Sequence, residues 1–147
     1  KVYENFVNNM IVAIFITTSV CSRNGLDNTI VKPRDYKKAI KLIKKEDYSG
    51  AIKLLEEVLE KSKYQKDPDI LNEYAFALRK SGNLEKAENY YNKALDIDPA
   101  HRGALEYLGE LFVDTKRIDK AKKILAKLND CLCEEYSELK SYIEQSN

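Results

Sequence analysis

Three pairs of small residues recur along this chain at one internal spacing. Ala39 and Ala51, Ala75 and Ala87, and Gly109 and Ala121 each stand twelve residues apart, and successive pairs begin 36 and then 34 residues along. An apolar frame travels with them: Leu55 and Val58 follow Ala51, Tyr91 and Ala94 follow Ala87, and Leu125 and Leu128 follow Ala121. A repeat of this length, with small residues at matched sites, implies two closely packed helices per unit and units stacked in a row. Helices approach closely only where both backbones lack bulk. The expected fold is therefore all-α, a helical-hairpin solenoid of about three units with a C-terminal capping helix.

From Arg34 onward the apolar residues keep helical spacing. The units fall at about 34–66, 67–100 and 101–132, with the cap over 133–147. Asp67-Pro68 opens the second unit: the carboxylate can accept from free backbone N–H groups, and proline in the first turn gives up a donor that has no partner there. Gly82 suits the left-handed backbone of a tight helix exit. The third unit has Lys116 at that place, which predicts a left-handed lysine at a cost of roughly 1 kcal/mol. In the last helix Tyr136, Leu139, Tyr142 and Ile143 form one stripe, with Glu134, Glu135, Glu138 and Lys140 mostly off it. An apolar inside and polar outside is what the open end of a solenoid needs.

The N-terminal part reads differently. Met10 to Val20 is eleven residues without a charge. As a helix it reaches about 17 Å, short of the roughly 30 Å bilayer core, and suits the apolar part of a secretory signal. Residues 1–22 are accordingly read as a signal or apolar segment, and 23–33 as a polar linker. An exported, periplasmic location follows, with a cytoplasmic one as the alternative. Membrane association would require that segment to be retained or lipidated at Cys21.

Charge excludes one class of partner. Charged residues make up 33% of the chain and the net charge is +1. Beyond residue 30 there are 23 basic residues against 22 acidic. A nucleic-acid binder would show a basic excess, so no nucleic acid is expected. Enzyme chemistry finds no support either: there is no glycine-rich phosphate loop, no metal-ligand spacing of histidines and no nucleophile elbow. No cofactor or resident metal is expected.

The stretch PDILNEYAFALRKSGNLEKAENYYNKALDIDP resembles a tetratricopeptide repeat. Leu71, Ala75, Leu78, Gly82, Ala87, Tyr91, Ala94 and Pro99 stand in the order that family uses. The third unit is similar at Leu105, Leu108, Gly109, Phe112 and Ala121, and the first at Ala39, Leu42, Ala51, Leu55 and Val58. The stretch ALDIDPAHRGALEYLGELF, with the cysteine-containing, EEY-bearing last helix, also resembles small exported bacterial members of undefined role. The family resemblance implies a protein–protein interaction module whose concave face holds a peptide or partner helix. Carried onto this chain, that face would be lined by Tyr36, Ile40 and Lys44, by Asn72, Phe76 and Arg79, and by Glu106, Glu110 and Val113. Phe76 lies off the Leu71/Tyr74/Ala75/Leu78 stripe, so it either faces the groove or packs on a neighbouring helix. In the expected mechanism Tyr36 and Phe76 give apolar contact, while Arg79 and Glu110 set register by charge. Members that clamp the acidic C-terminus of heat-shock chaperones use basic and amide residues where this chain has Tyr36, Ile40, Glu73, Gly103 and Tyr107. That clamp cannot be assembled here.

Two further features stand outside the repeat logic. Cys131 and Cys133 could hold a soft metal or oxidise, or could serve as small apolar residues in a link. They carry the rival reading, a thiol-redox or soft-metal handling protein. His101-Arg102 at a helix start reads as a solvated cap, with an anion site as the lesser alternative.

Overall fold

The computed structural model describes residues 31–146. The apolar run at 10–20, Cys21 and the linker up to residue 30 lie outside the described residues, and the export reading lies there with them. Among the described residues there are seven helices and no strand. They are α1 (Arg34–Ile43), α2 (Tyr48–Leu59), α3 (Pro68–Lys80), α4 (Leu84–Ile97), α5 (Arg102–Asp114), α6 (Ile118–Lys127) and α7 (Glu134–Gln145). No helix of the described residues is long and apolar enough to cross a membrane.

The exits of α1, α3 and α5 are built alike. Asp47 N–H donates to Leu42 C=O at 2.9 Å, Asn83 to Leu78 at 2.9 Å and Arg117 to Phe112 at 2.7 Å. Inside each of these six-residue closures a shorter bond runs from Glu46 to Ile43, from Gly82 to Arg79 and from Lys116 to Val113. Such paired bonds satisfy the last carbonyls of a helix and require one left-handed residue. That residue is Glu46 at φ 61°, Gly82 at φ 88° and Lys116 at φ 59°. The expectation for Lys116 holds, and Glu46 repeats it in the first unit. At the other end of α3, Asp67 accepts from the N–H groups of Asp69 and Ile70 at 3.1 and 3.2 Å, as Asp67-Pro68 implied.

Helices pair in chain order: α1 on α2, α3 on α4, α5 on α6. Each second helix also leans on the next first helix, α2 on α3, α4 on α5 and α6 on α7. First helices touch one another in succession, α1 with α3, α3 with α5 and α5 with α7, whereas α2, α4 and α6 do not meet. One layer converges and the other splays, so the array curves with α1, α3, α5 and α7 on its inner face. The all-α helical-hairpin solenoid expected from the repeat is the fold observed. The C-terminal helix does more than close the end, because it stands as a fourth member of the inner layer.

The core runs as a strip between the layers. Ala39, Ala51, Ala75, Ala87 and Ala121 are fully buried, with Leu55, Tyr74, Tyr91, Leu108 and Leu111 filling the volumes between them. Gly109 needs a different explanation from the one its repeat position suggests. A Cβ there would stand 2.5 Å from Leu139 Cδ2 and 2.7 Å from Cδ1. It is small because α7 crosses it, in addition to any closeness within its own hairpin.

Candidate functional site: the inner face

Of the nine residues expected to line the inner face, five have accessible side chains: Tyr36, Ile40, Phe76 and Glu110 are half-buried and Lys44 is exposed. The other four are corrected by the structure. Asn72, Arg79, Glu106 and Val113 are each at most 6% exposed. Their burial follows from the inner helices packing side by side, and at Glu106 and Val113 from the presence of α7.

Arg79 shows the change of role most clearly. Its guanidinium donates to Glu110 and, through Nε at 2.9 Å, to Asp114, both on α5. Tyr142 of α7 donates to Asp114 at 2.8 Å, and its ring lies 5.8 Å from the guanidinium carbon. Arg79 and Glu110 therefore do not wait for a partner as free charges of opposite sign. They neutralise each other and tie α3, α5 and α7 together.

Phe76 does both things its position allowed. It packs between Tyr107 (centroids 4.8 Å) and Tyr48 (6.4 Å), with Lys80 above its face at 5.5 Å, yet remains part-exposed. Tyr91 lies behind Tyr107 at 6.4 Å. An aromatic row thus backs the middle of the inner face.

The two ends of that face differ in charge. Lys44 and Lys80 stand exposed at the C-terminal ends of α1 and α3. Toward α5 and α7 the face is acidic, with Glu110, Glu135 and Glu138 close enough to Glu106 to perturb it, and Glu73 of α3 acting with them on Tyr107. Burial, then a hydrogen bond with Glu138, then the charges of Glu138, Glu110 and Glu135 push the Glu106 carboxyl up to about 9. With that shift the Glu106 carboxyl carries its proton at neutral pH. Burial and the charge of Asp69 likewise raise Glu73, and His101 opposes them.

His101 caps α5 as expected: its Nδ1 accepts from Ala104 N–H at 3.1 Å. It is not the solvated cap foreseen, since Nε2 lies 3.0 Å from Asp69 Oδ1 on α3. Lys32 pairs with Asp67 and Asp69 at the same end. Cys131 and Cys133 are joined as a disulfide in the link between α6 and α7, with Leu132 fully exposed between them. Among the described residues no group of three or more His, Cys, Asp or Glu side chains is placed to hold a metal ion.

Two family models, both described as tetratricopeptide repeat, match residues 36–102 and residues 78–141. The chain belongs to the tetratricopeptide repeat family. No curated protein matches it in sequence. Similar solved structures include the tetratricopeptide domain of Sgt2 from Aspergillus fumigatus, with a TM-score of 0.65 and 24% identity over 76% of this chain and 74% of that one. The first tetratricopeptide domain of Spaghetti (RPAP3), bound to the HSP90 peptide SRMEEVD, has a TM-score of 0.66 and 20% identity over 76% and 89%. A chain of the CopN–Scc3 complex has a TM-score of 0.61 and 17% identity over 76% and 65%. At these identities the likeness establishes the shared tetratricopeptide fold.

The inner-face residues that sequence reasoning left out come mostly from α7. Glu135, Glu138 and Tyr142 recur at helical spacing, along the flank of the buried pair Leu139 and Ile143. The signal was present, but a helix read only as a cap has no groove side. Tyr107 was weighed only as a clamp position, although its place one turn after Gly103 puts it beside Phe76.

Proposed function

We propose that this tetratricopeptide protein is a non-enzymatic interaction module that holds a segment of a partner protein against its inner face. The observation that carries the reading is the part-exposed row Tyr36, Ile40 and Phe76 on converging first helices, flanked by charged groups of opposite sign at its two ends. Large rigid aromatics in the middle of a surface with a polar rim are what anchor interfaces. A peptide like the one bound by Spaghetti is a poor fit. SRMEEVD is acidic near its end, and at the α5–α7 end of this face it would meet Glu135 and Glu138, while Arg79 is already committed to Glu110 and Asp114. The finer reading, an exported protein, rests on the apolar run at 10–20, and N-terminal sequencing of envelope-fraction protein would refute it by finding that run still attached.

The test is photocrosslinking in native cells, with a photoreactive residue placed at Ile40 or Glu138 on the inner face, or at Lys123 on exposed α6. Adducts to a discrete partner should form from Ile40 and Glu138 and not from Lys123. Adducts from Lys123 alone, or equally from all three, would overturn the reading. The disulfide favours a second reading, thiol exchange at Cys131 and Cys133. Replacing both cysteines by serine would abolish any such activity and leave inner-face crosslinks intact.

A further inference from the structure

We infer that a second docking surface lies on the outer face, in the trough between α2 and α4. Its occupant is a short extended segment of a partner protein that carries a large aliphatic or aromatic side chain beside an acidic one. This surface is separate from the inner face, so neither depends on the other.

Because α2 and α4 do not meet, α3 forms the floor of an open trough between them. Two adjoining hollows, of about 290 and 390 Å³, follow one another along it and share Leu59 of α2 and Tyr90 of α4 as walls. Both wall residues are part-exposed. The first hollow is closed by Glu56, which accepts from Tyr74 Oη and from Lys86 Nζ at 3.1 Å. The second has Leu71 as its floor and is lined by Lys66, from the link before α3, and Lys93 of α4, with no acidic side chain. The Tyr90 ring stands edge-on to Tyr74, with centroids 4.7 Å apart. Lys93 Nζ lies 4.2 Å from the centroid of Tyr90, so its ammonium is held over the wall that both hollows share. From Lys86 to Lys93 a helix rises about 10 Å, the length of about three extended residues. A short linear segment matches that span.

Charge complementarity selects the occupant. The next gap of the outer layer, between α4 and α6, is bridged from within: Arg117, immediately before α6, donates to both carboxylate oxygens of Glu88 on α4, at 2.9 and 2.7 Å. In the α2–α4 gap the Lys86–Glu56 pair does the same for the first hollow. Neither Lys66 nor Lys93 pairs with a carboxylate among the described residues, and both are exposed. A carboxylate brought to the second hollow meets two cations, one of them already positioned by an aromatic ring. A segment with charge alone leaves Leu59 and Tyr90 wet, and a purely apolar one leaves the ammoniums unanswered. An apolar anchor beside an acidic residue satisfies both. Glu56 and Glu60 in the first hollow disfavour a polyanion, whose charge would run the whole length of the trough.

The probe is the unlabelled peptide GGLELEGG, titrated into the isotope-labelled full chain at low salt and followed by backbone amide shifts in NMR. GGSESEGG and GGLKLKGG are the controls for the apolar and the acidic component. GGLELEGG should bind about tenfold more tightly than either control, with shifts concentrated around Leu59, Lys66, Tyr90 and Lys93. The Lys66→Glu/Lys93→Glu double variant, checked for folding by circular dichroism, should weaken binding about tenfold. If that charge reversal unfolds the chain, Lys66→Gln/Lys93→Gln takes its place and should weaken binding in the same direction. Lys44→Glu/Lys80→Glu, which reverses the exposed lysines of the inner face, should leave binding unchanged. No binding of GGLELEGG, or equal binding of GGSESEGG, would overturn the docking surface. Shifts around Ile40 and Phe76 with loss only in the Lys44/Lys80 variant would overturn it too, by moving the acidic segment to the inner face. Crosslinks from Ile40 and Glu138 are unaffected by any of these results, so the two surfaces fail separately.

Discussion

Lys116 and Glu46 hold left-handed backbone, at φ 59° and 61°, where Gly82 does the same work without a Cβ. Both side chains are exposed, so nothing is packed against them that would compensate for the conformation. Lys116→Gly and Glu46→Gly should each raise stability by about 1 kcal/mol, read as a higher urea midpoint at unchanged slope. Gly82→Ala should lower it by a similar amount. If Lys116→Gly destabilised the fold, the left-handed assignment would be wrong. Gly109 sets a second residue-scale problem. Alanine there gains about 1 kcal/mol of helix propensity but puts a Cβ into the fully buried Leu139 side chain. Gly109→Ala should therefore destabilise the wild type, yet stabilise a Leu139→Ala background in which the space has been vacated. Additive effects in that double-mutant cycle would show that α7 does not cross at Gly109.

Among the elements, α7 and the first-helix layer depend on Arg79. One guanidinium joins α3 to Glu110 and Asp114 of α5, and through Asp114 and Tyr142 to α7. Arg79→Ala should cost about 2–3 kcal/mol in urea unfolding, because two partly buried carboxylates lose their cation. Arg79→Lys should not restore it, since an ammonium cannot bridge two carboxylates as the planar fork does. Full rescue by lysine would mean that charge alone mattered. This is also where sequence reading reached its limit. Spacing of small residues revealed the hairpins, their order and their left-handed exits, because those features are local and recur. Whether Arg79 meets a partner or another helix depends on contacts 31 and 35 residues away in sequence, which no period displays. Asn72 and Glu106 looked accessible for the same reason: a side chain off the apolar stripe faces solvent only if no third helix covers it. The aromatic row behind Phe76 draws on α2, α3, α4 and α5, so its members could be named separately but not brought together.

At the scale of the whole molecule, near-neutral net charge hides a polarised inner face, with Lys44 and Lys80 toward one end and the Glu106–Glu138 pair toward the other. The folded state holds a proton at Glu106 that the unfolded chain gives up near pH 4.3. Because the folded value is raised, to about 9, the folded state binds more protons across that interval. Stability is then fully present below about pH 4.3 as far as this group is concerned, and declines as pH rises toward about 9. Glu106→Gln keeps the hydrogen bond that the protonated acid makes and cannot ionise. Its Tm should match the wild type near pH 4 and exceed it by several degrees near pH 9, where one buried carboxylate has been removed from among three others. Parallel Tm profiles for the two proteins across this range would mean that Glu106 ionises normally.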